Sequence, residues 1–510
     1  MDFFGNFIIT IQFLIVLVSF HSLESTPVSI ATDKEALISF KSQILTEHHN
    51  PLSTWDENLS PCNWSGVSCD NQAQRVIGLD LSNLGVTGPI SPHIGNLSFL
   101  RFLELQNNQL IGEIPHHLTN LVRLKTLNLS FNRIVGFIPT NISQCKDLTV
   151  LDLMNNMISG KIPREISRLT NLQVLNLASN HLSGDLPSSL TNISSLVKLN
   201  LGTNNLSGPI SSDLGRLINL RFLGLTVNNL SGTLPPSIYN MSSLVHLALS
   251  SNNLRGELPG DIGITLPNLL QLYLCINRFT GNIPWSLHNL TNIQVIRIAH
   301  NRLHGSVPPG LGNLRNLEEY YIGFNSIVGG LDFLDYLTNS TRLNFLAFDS
   351  NLLEGSIPRS IGNLSKVLRS MYMGGNDIYG TIPSSIGKLK GLKLLNLSYA
   401  HLSGEIPSEI GLLKELRVLG LADNVFSGKI PNSLGNLQLL TEIDLSKNKL
   451  VGSIPNTFGN LQNLLYVDLS DNKLNGSLPM EIVNIPQLSI LLNLSKNHLS
   501  GPLPVEIRSL

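Results

Sequence analysis

The stretch LRFLELQNNQLIGEIP at residues 100–115 decides the fold, because the same pattern returns along most of the chain. It reappears as LQVLNLASNHLSGDLP at residues 172–187 and as LRVLGLADNVFSGKIP at residues 416–431. The unit LxxLxLxxNxLxGxIP repeats with a step of 24 residues nearly everywhere, in eighteen registers from Val76 to a last one near Ser489. Periodicity sustained over this length predicts a repeat solenoid rather than a few globular domains.

Each recurring residue type predicts one part of the repeat. The LxL segment alternates as a short strand, with its leucines in the core and the intervening side chains outside. Strands one repeat apart stack in parallel about 4.8 Å apart. The Asn amide satisfies backbone groups at the bend, the Gly permits positive φ or close backbone approach, and the Pro ends strand pairing. We therefore predict an α/β solenoid with a parallel concave sheet.

Departures from the unit mark irregular places. The Asn position holds Leu84 in the first register and Ala400 in the fourteenth. We expect Ala400 to leave a local gap in the amide bonding. Repeat eleven begins at Leu317, lacks the IP ending and carries GLDFLDYL at residues 330–337 instead. We expect this insert to form a helical turn on the convex side.

Composition excludes several classes of function. Hydrophobic residues make up 42% of the 510 residues and charged residues only 14%, with a formal net charge of −1. This balance does not indicate binding to nucleic acid or to an anionic membrane surface. The sequence has no Gly-rich phosphate loop, kinase catalytic loop or GxSxG motif. We therefore predict no enzymatic activity, cofactor or metal for this chain.

Residues 1–26 are typical of a secretory signal, since the apolar run from Phe7 to Phe20 is too short to span a bilayer comfortably. A buried N-terminal segment is the alternative. No later apolar run reaches the length of a membrane span, so a membrane connection requires a segment outside this chain. Repeats fill residues 76–510, and the last one is incomplete and uncapped at Leu510. We expect the chain to be cut from a longer protein.

Residues 28–75 are predicted to cap the first repeat. Thr32 or Asp33 is expected to N-cap a helix, whose apolar face and neighbouring bulk come from Ala36, Leu37, Phe40, Ile44, Trp55 and Trp64. In a secreted chain, Cys62 and Cys69 are predicted to form a disulfide. Cys145 is expected in the core and Cys275 on the concave face.

These motifs carry a resemblance to a known family. The LxGxIP unit resembles the plant-specific class of leucine-rich repeat, and residues 33–37, Trp55 and Cys62 to Cys69 resemble the plant N-terminal cap of such arrays. Residues 332–339 and 361–365 are similar to a subfamily of leucine-rich-repeat receptor kinases that includes immune receptors for bacterial peptides. The resemblance covers about residues 28–510 and implies a right-handed superhelical array with a helical or 3₁₀ convex side.

The resemblance also implies a mode of action at the extracellular face of the plasma membrane. A peptide or protein ligand would lie along the concave or lateral surface and recruit a shorter leucine-rich-repeat co-receptor kinase. A full-length parent would be a receptor Ser/Thr protein kinase. Some hormone-sensing relatives read a peptide carboxylate with an Arg-x-Arg pair on late strands. No such pair occurs in repeats fourteen to eighteen, which favours immune sensing of a microbial pattern.

Exposed strand positions indicate where a ligand would bind. They are small or polar in most repeats, but repeats seven to thirteen carry aromatic, Arg and His side chains of the types enriched in binding hot spots. The alternative is that aromatic residues simply suit strands and pack on each other. The candidate ligand-binding residues are Phe222, His246, Tyr273, Arg297, His300, Tyr321, Phe324, Phe345, Asp349 and Tyr372.

Fifteen Asn-x-Ser/Thr sequons occur, although the repeat consensus itself generates some of them. Those predicted on the convex side, where glycans fit best, are Asn96, Asn141, Asn192, Asn240, Asn289 and Asn363. Asn128, Asn396 and Asn493 would instead place sugar on the concave strands. Occupied sequons there would leave the middle of the array as the ligand site.

Other classes of protein remain as alternatives. His246, His300 and Asp349 are imaginable as an acid–base or metal set, but they lie on separate strands of an open surface. A secreted inhibitor of microbial wall-degrading enzymes shares this repeat, although its array is shorter and fully capped. A truncated decoy receptor would follow if the chain ends at Leu510. A structural wall protein lacks support, because the sequence has no hydroxyproline-type low-complexity runs.

Overall fold

Each register contributes one short strand to a single sheet, which confirms the predicted α/β solenoid. The computed structural model describes residues 29–45, 51–72 and 74–503, so the predicted signal at residues 1–26 and the end of the last repeat lie outside the described residues. Within them, an antiparallel cap strand, Val67–Cys69, starts the sheet. The parallel concave strands are Val76–Asp80, Phe102–Glu104, Thr126–Asn128, Val150–Asp152, Val174–Asn176, Lys198–Asn200, Phe222–Gly224, His246–Ala248, Gln271–Tyr273, Val295–Arg297, Glu319–Tyr321, Phe345–Ala347, Ser370–Tyr372, Leu394–Asn396, Val418–Gly420, Glu442–Asp444, Tyr466–Asp468 and Leu491–Asn493.

A second set of strands forms shorter parallel sheets along one flank, where each chain turn leaves the concave face. These lateral strands are Thr87–Pro89, Gln109–Ile111, Ser159–Gly160, His181–Asp185, Asn205–Pro209, Asn229–Thr233, Asn253–Glu257, Arg278–Thr280, His304–Ser306, Ser326–Gly329, Leu352–Ser356, Asp377–Gly380, His401–Glu405, Val425–Ser427, Val451–Gly452, Lys473–Gly476 and His498–Leu499.

Short helices form the convex side. The 3₁₀ helices are Pro61–Asn63 in the cap, then Pro92–Asn96, His116–Asn120, Thr140–Gln144, Arg164–Arg168, Ser188–Asn192, Ser212–Arg216, Trp285–Asn289, Leu311–Asn313, Arg359–Asn363, Ser384–Lys388, Ser408–Leu412, Asn432–Asn436 and Asn456–Asn460. The α-helices are Ile30–Gln43, Pro236–Tyr239, Ile262–Thr265, Phe333–Leu337 and Met480–Val483. Among the helices in the described ranges, none is long and apolar enough to cross a bilayer.

The core is one column of leucines running through all the repeats. In repeat two, Leu103 and Leu105 are fully buried while Phe102, at the start of the same strand, is exposed, as the strand alternation predicts. Burying one leucine side chain contributes about 1.5–3 kcal/mol. Because each turn buries its leucines only against the turns beside it, stability depends on stacking consecutive repeats.

The asparagine of each repeat bonds two consecutive turns. Asn132 donates through Nδ2 to the carbonyls of Leu105 at 3.0 Å and Leu129 at 3.0 Å. Its Oδ1 accepts from the amide of Leu110 at 2.9 Å. Asn108 makes the equivalent bonds one turn earlier, donating to Leu81 at 2.8 Å. The predicted role of the amide is therefore confirmed, since successive asparagines form a ladder of side-chain to backbone bonds.

The residue just before the asparagine position has an unfavourable backbone conformation. The preceding residue adopts positive φ in every register, from Asn83 at 60° to Lys496 at 52°, with Gly375 at 65° as the glycine among them. A left-handed conformation costs an L-residue roughly 1–2 kcal/mol. The tight bend that this conformation makes turns the chain off the concave face and puts the asparagine amide inside.

The cap differs from prediction at its helix start. Ser29, rather than Thr32 or Asp33, is the N-cap of the helix Ile30–Gln43, and it forms a capping box with Thr32. Asp33 is instead buried against Arg75, with side-chain bonds of 2.6 and 2.8 Å, and it accepts the backbone amide of Val76 at 3.0 Å. This ion pair joins the cap helix to the first strand.

The predicted apolar face of the cap is confirmed, because Ala36, Leu37 and Phe40 are buried. Trp55 and Trp64 stack with ring centroids 5.2 Å apart and cover the first repeat. The Cys62–Cys69 disulfide is also confirmed, with a Cα separation of 5.5 Å. Cys145 lies in the core as expected.

Repeat eleven forms the predicted helix at Phe333–Leu337, which packs between the convex 3₁₀ helices Leu311–Asn313 and Arg359–Asn363. Ala400 is buried in the core and has no amide with which to continue the ladder. Beside it, the amide of Gly375 donates to the carbonyls of both Ser398 and Tyr399 at 2.9 Å. The ladder is therefore interrupted at one position in the C-terminal third.

We expect Ala400→Asn to raise the free energy of unfolding by about 1 kcal/mol, because the new amide adds buried hydrogen bonds to the preceding turn. Asn424→Ala is the matched change one register later, and it should lower that free energy by about 2 kcal/mol because it leaves buried backbone groups unpaired. Chemical unfolding followed by circular dichroism measures both. An Ala400→Asn variant no more stable than the parent would contradict the role given to the ladder.

Candidate functional site

Four positions of each repeat face the concave side: the third, fifth, seventh and eighth residues of the unit. We call the set of these positions in repeats seven to thirteen, from the strand Phe222–Gly224 to the strand Ser370–Tyr372, the concave band. Neighbouring strands pair residue by residue across it, as Arg297 with Tyr321 does. All ten predicted ligand-binding residues lie in the band, because the repeat places each at one of these four positions.

In the first part of the band, a glutamine side chain bonds a histidine and a tyrosine. Phe222 and His246 have ring centroids 5.6 Å apart, and Lys198 Nζ lies 5.5 Å from the Phe222 ring. His246 Nδ1 is 2.9 Å from Gln271 Oε1, which also accepts from the Tyr273 hydroxyl at 3.2 Å. Gln271 therefore links His246 of the preceding strand to Tyr273 of its own strand.

Arg297 organises the centre of the band. Its Nε donates to Glu319 Oε2 at 2.5 Å, and its guanidinium lies 5.9 Å from the Tyr273 ring centroid and 5.6 Å from that of Phe345. Arg and aromatic faces attract each other through the ring quadrupole. The bound carboxylate and the two rings therefore restrict where the guanidinium can lie.

The remaining aromatic residues continue from this centre. His300 stacks on Phe324 at 4.0 Å, and its Nε2 is 3.2 Å from the Tyr321 hydroxyl. Phe345 contacts Tyr321 at 5.7 Å and Tyr372 at 5.8 Å between ring centroids. Burial lowers the pKa of His300 and, with nearby acids, raises the pKa of Tyr321 to about 12. Both groups are therefore neutral hydrogen-bonding partners near pH 7.

An open depression of about 520 Å³ lies in the middle of the band. Its walls include Tyr273, Arg297, His300 and Tyr321. Cys275 also lines it and has no disulfide partner, as expected for a concave position. Burial raises the pKa of the Cys275 thiol to about 11, so the residue contributes apolar surface rather than a nucleophile.

Ile276 borders the depression in a conformation that its residue type disfavours. Its φ is 55° and its side chain is 54% exposed. Val227, two registers earlier, has the same φ of 55°. A β-branched residue in the left-handed region is a conformational outlier, and such strain concentrates at functional sites. The exposed apolar side chains at these two positions are unfavourable for stability alone.

The sequence analysis did not identify three residues that contact the candidate ligand-binding side chains: Lys198, Gln271 and Glu319. Glu319 pairs in register with Val295, so it lies diagonally across from Arg297, a relation that aligning neighbouring registers would reveal. Among the described residues, no group of three or more His, Cys, Asp or Glu side chains is arranged to hold a metal. Asp349 makes none of the ring contacts, and its Oδ1 is buried without a hydrogen-bond partner.

The six predicted convex sequons all lie at short convex helices. Asn96, Asn192, Asn289 and Asn363 each end a 3₁₀ helix and are exposed. Asn240 caps the helix Pro236–Tyr239 and is exposed as well. Asn141 differs, because it is half-buried and its Nδ2 donates to Thr119 Oγ1 at 3.0 Å. Glycosylation itself stays a prediction.

Concave sequons flank the band on both sides. Asn128 and Asn396 each occupy the fifth position of their unit, and no sequon lies on the concave strands between them. Glycans at these positions would border the band without covering it.

Three family models match the chain. The "Leucine rich repeat N-terminal domain" matches residues 30–70 and the "Leucine-rich repeat region" matches residues 70–201. The "Leucine Rich Repeat" matches residues 195–217, 219–241, 243–263, 292–314, 391–413, 415–437, 439–461 and 463–485.

Relatives and solved structures agree with these models. The chain is 48% identical over 75 residues to the LRR receptor-like serine/threonine-protein kinase EFR of Arabidopsis thaliana, which is 14% of this chain and 7% of that protein. It is similar to the plant peptide hormone receptor RGFR1 in complex with RGF2, at 34% identity and a TM-score of 0.72, over 88% of this chain and 81% of that one. It is also similar to the Arabidopsis receptor kinase HAESA in complex with the peptide hormone IDA and the co-receptor SERK1, at 30% identity and a TM-score of 0.71, over 94% and 92%.

We expect Ile276→Asn to raise the free energy of unfolding by about 1 kcal/mol, because Asn tolerates the left-handed conformation and Ile does not. Ile276→Val keeps the β-branch and should change stability by less than about 0.5 kcal/mol. Chemical unfolding of both variants at neutral pH measures the difference. If the two substitutions alter stability equally, Ile276 is not strained.

Proposed function

Because the chain belongs to the leucine-rich-repeat ectodomains of plant receptor-like kinases, we propose that it is the extracellular ligand-binding domain of such a receptor. Its concave band binds a peptide or protein, and its ligand is a microbial pattern sensed for immune signalling. The observation that carries this proposal is the unbroken line of ring, guanidinium and hydrogen-bond contacts from Phe222 to Tyr372.

The chemistry of the band supports a protein or peptide ligand. Aromatic and Arg side chains supply most of the binding energy in protein interfaces, and here they form a partly exposed, pre-arranged surface over seven adjacent strands. Phe324 is 42% exposed and Ile276 54% exposed. Arg297 is already paired with Glu319, which lowers the entropic cost of ordering it when a ligand binds.

The distribution of sequons supports the same location. The concave strands carry none between Asn128 and Asn396, while Asn96, Asn192 and Asn289 direct glycans to the convex helices. Signal cleavage near residue 26, a cap over residues 28–75 and repeats from residue 76 onward complete the proposed organisation. The chain then lies on the extracellular face of the plasma membrane, held through a part of the receptor outside these residues.

Immune sensing and a co-receptor are the finer parts of the proposal. The similarity of residues 332–339 and 361–365 to a subfamily with immune receptors, and the absence of an Arg-x-Arg pair on late strands, favour a microbial ligand. The relatives RGFR1 and HAESA are described in complex with peptide hormones, HAESA also with the co-receptor SERK1. We propose that this chain likewise recruits a shorter leucine-rich-repeat co-receptor kinase, and that recruitment requires bound ligand.

Capture from two sources tests the proposal. The chain, produced in plant cells with its own secretory signal, is exposed to peptides from bacterial lysate and to peptides from plant extracellular fluid, and bound peptides are identified by mass spectrometry. We expect bacterial peptides to be captured. Replacing Phe345 and Tyr372 together with Ala should weaken their binding by roughly a hundredfold or more, as loss of interface hot spots does.

The matched control replaces two exposed aromatic residues outside the band, Phe137 and Tyr379, which are 66% and 56% exposed. Binding should stay within about twofold there, because substitutions outside a binding surface leave the interface contacts intact. Captured peptides that bind the Phe345 and Tyr372 variant as well as the parent would overturn the location. Capture from plant fluid alone would overturn the microbial ligand and favour a hormone.

A further inference from the structure

Asp349 occupies a position that no other acidic residue shares. It is the seventh residue of the unit in repeat twelve, where the other repeats have Ser, Thr, Gln, Met, Ala, Cys or Gly. On the two neighbouring strands this position is glycine, at Gly323 and Gly374, and both are buried. A Cβ added to Gly323 would lie 2.6 Å from Asp349 Oδ1. The carboxylate therefore lies between two positions that have no side chain.

One oxygen of the carboxylate has no hydrogen-bond partner in the protein. Oδ1 is buried and has no hydrogen-bond partner, and among the residues that the structure describes no Lys, Arg or His forms an ion pair with Asp349. Concave Asp444 and Asp468 differ, because each accepts the amide two residues further on, at 3.0 and 2.9 Å. Burial raises the pKa of Asp349, against a smaller lowering by its own backbone amide, so a cation that pairs with the carboxylate would offset its desolvation.

Two tyrosines border the same place. Tyr321 pairs in register with Ala347, and Ala347 pairs with Tyr372, so both rings stand two residues before the strand position of Asp349. Burial and then the charge of Asp349 raise the pKa of each phenol. Aromatic faces attract cations. We call the space bordered by Asp349, Gly323, Gly374, Tyr321 and Tyr372 the Asp349 niche.

The charge of the whole concave face favours the same type of ligand. Its four outward positions carry more acidic than basic side chains: Asp80, Glu104, Asp152, Glu319, Asp349, Asp423, Glu442, Asp444, Asp468 and Asp471 against Lys198, Arg297, Lys447 and Lys496. Three of the basic side chains are already paired, Arg297 with Glu319, Lys447 with Asp423 and Lys496 with Asp471. The face is therefore left with a net negative charge, which attracts a basic ligand.

We propose that Asp349 binds a cationic side chain of the peptide ligand, with a Lys ammonium or an Arg guanidinium entering the niche between Tyr321 and Tyr372. This inference rests on the proposed function, peptide binding at the concave band, and adds the chemical class of the ligand. The body of the peptide covers the aromatic surface, while its basic residue pairs with the carboxylate that the protein leaves unpaired. Gly323 lets the carboxylate lie close to the neighbouring strand, because a Cβ there would come within 2.6 Å of Asp349 Oδ1.

Selection from a random-peptide display library tests the inference, with the secreted chain as bait. Peptides selected by the parent should be enriched in Lys or Arg at one position, and Asp349→Asn should remove that enrichment. One selected peptide is then synthesised with its basic residue and with norleucine or citrulline in its place. Asp349→Asn should weaken binding of the basic peptide by about tenfold or more and leave the neutral analogue nearly unchanged.

Two controls separate this inference from the proposed function. Asp471→Asn removes the same charge from an exposed concave residue, and binding should stay within about twofold because it lies five registers from the niche. Selected peptides that lose binding with Phe345 and Tyr372 replaced, yet bind Asp349→Asn as well as the parent, overturn the niche and leave the proposed function standing. Failure to select any peptide that needs the concave band overturns both.

Discussion

In every repeat but the first and the fourteenth, a buried asparagine amide bonds the backbone of two consecutive turns, and the alignment of the repeats depends on it. The amide of Asn132 illustrates the geometry, since it donates to Leu105 and Leu129 and accepts from Leu110. The residue before each asparagine is in the left-handed conformation, at a cost that the bonds of the buried amides offset. The result is one common register for all the concave strands.

That common register leaves the outward positions free to vary. Because the leucines and the asparagine specify the fold, the fold does not constrain outward residues such as Arg297 and Phe345, which instead contact side chains on neighbouring strands. The band departs from what stability alone favours in two ways. Ile276 is an exposed apolar residue in a disfavoured conformation, and Asp349 is a carboxylate without a hydrogen-bond partner at Oδ1. Such departures are expected where a surface serves binding.

Most of the fold could be predicted, because its determinants recur every 24 residues. The concave strands, the amide bonds, the Cys62–Cys69 disulfide and the helix at Phe333–Leu337 all followed from residue type and spacing. The start of the cap helix was predicted less well. Ser29 is the N-cap, and Asp33 instead pairs with Arg75, a contact between residues far apart in sequence. Gln271 and Glu319 were not predicted either, because their contacts with His246 and Arg297 become evident only when neighbouring registers are compared.

A glycan placed inside the band tests the central claim most directly. Ala248→Asn creates an Asn-Leu-Ser sequon with Leu249 and Ser250, at the register position that Asn128 and Asn396 occupy naturally, and Asp80→Asn creates the same sequon in the first repeat. Mass spectrometry of the plant-produced variants establishes that each new site carries sugar, and binding of the captured peptides is then measured. The account predicts that a glycan at position 248 abolishes binding while one at position 80 leaves it unchanged. Full binding by the variant glycosylated at position 248 would contradict it.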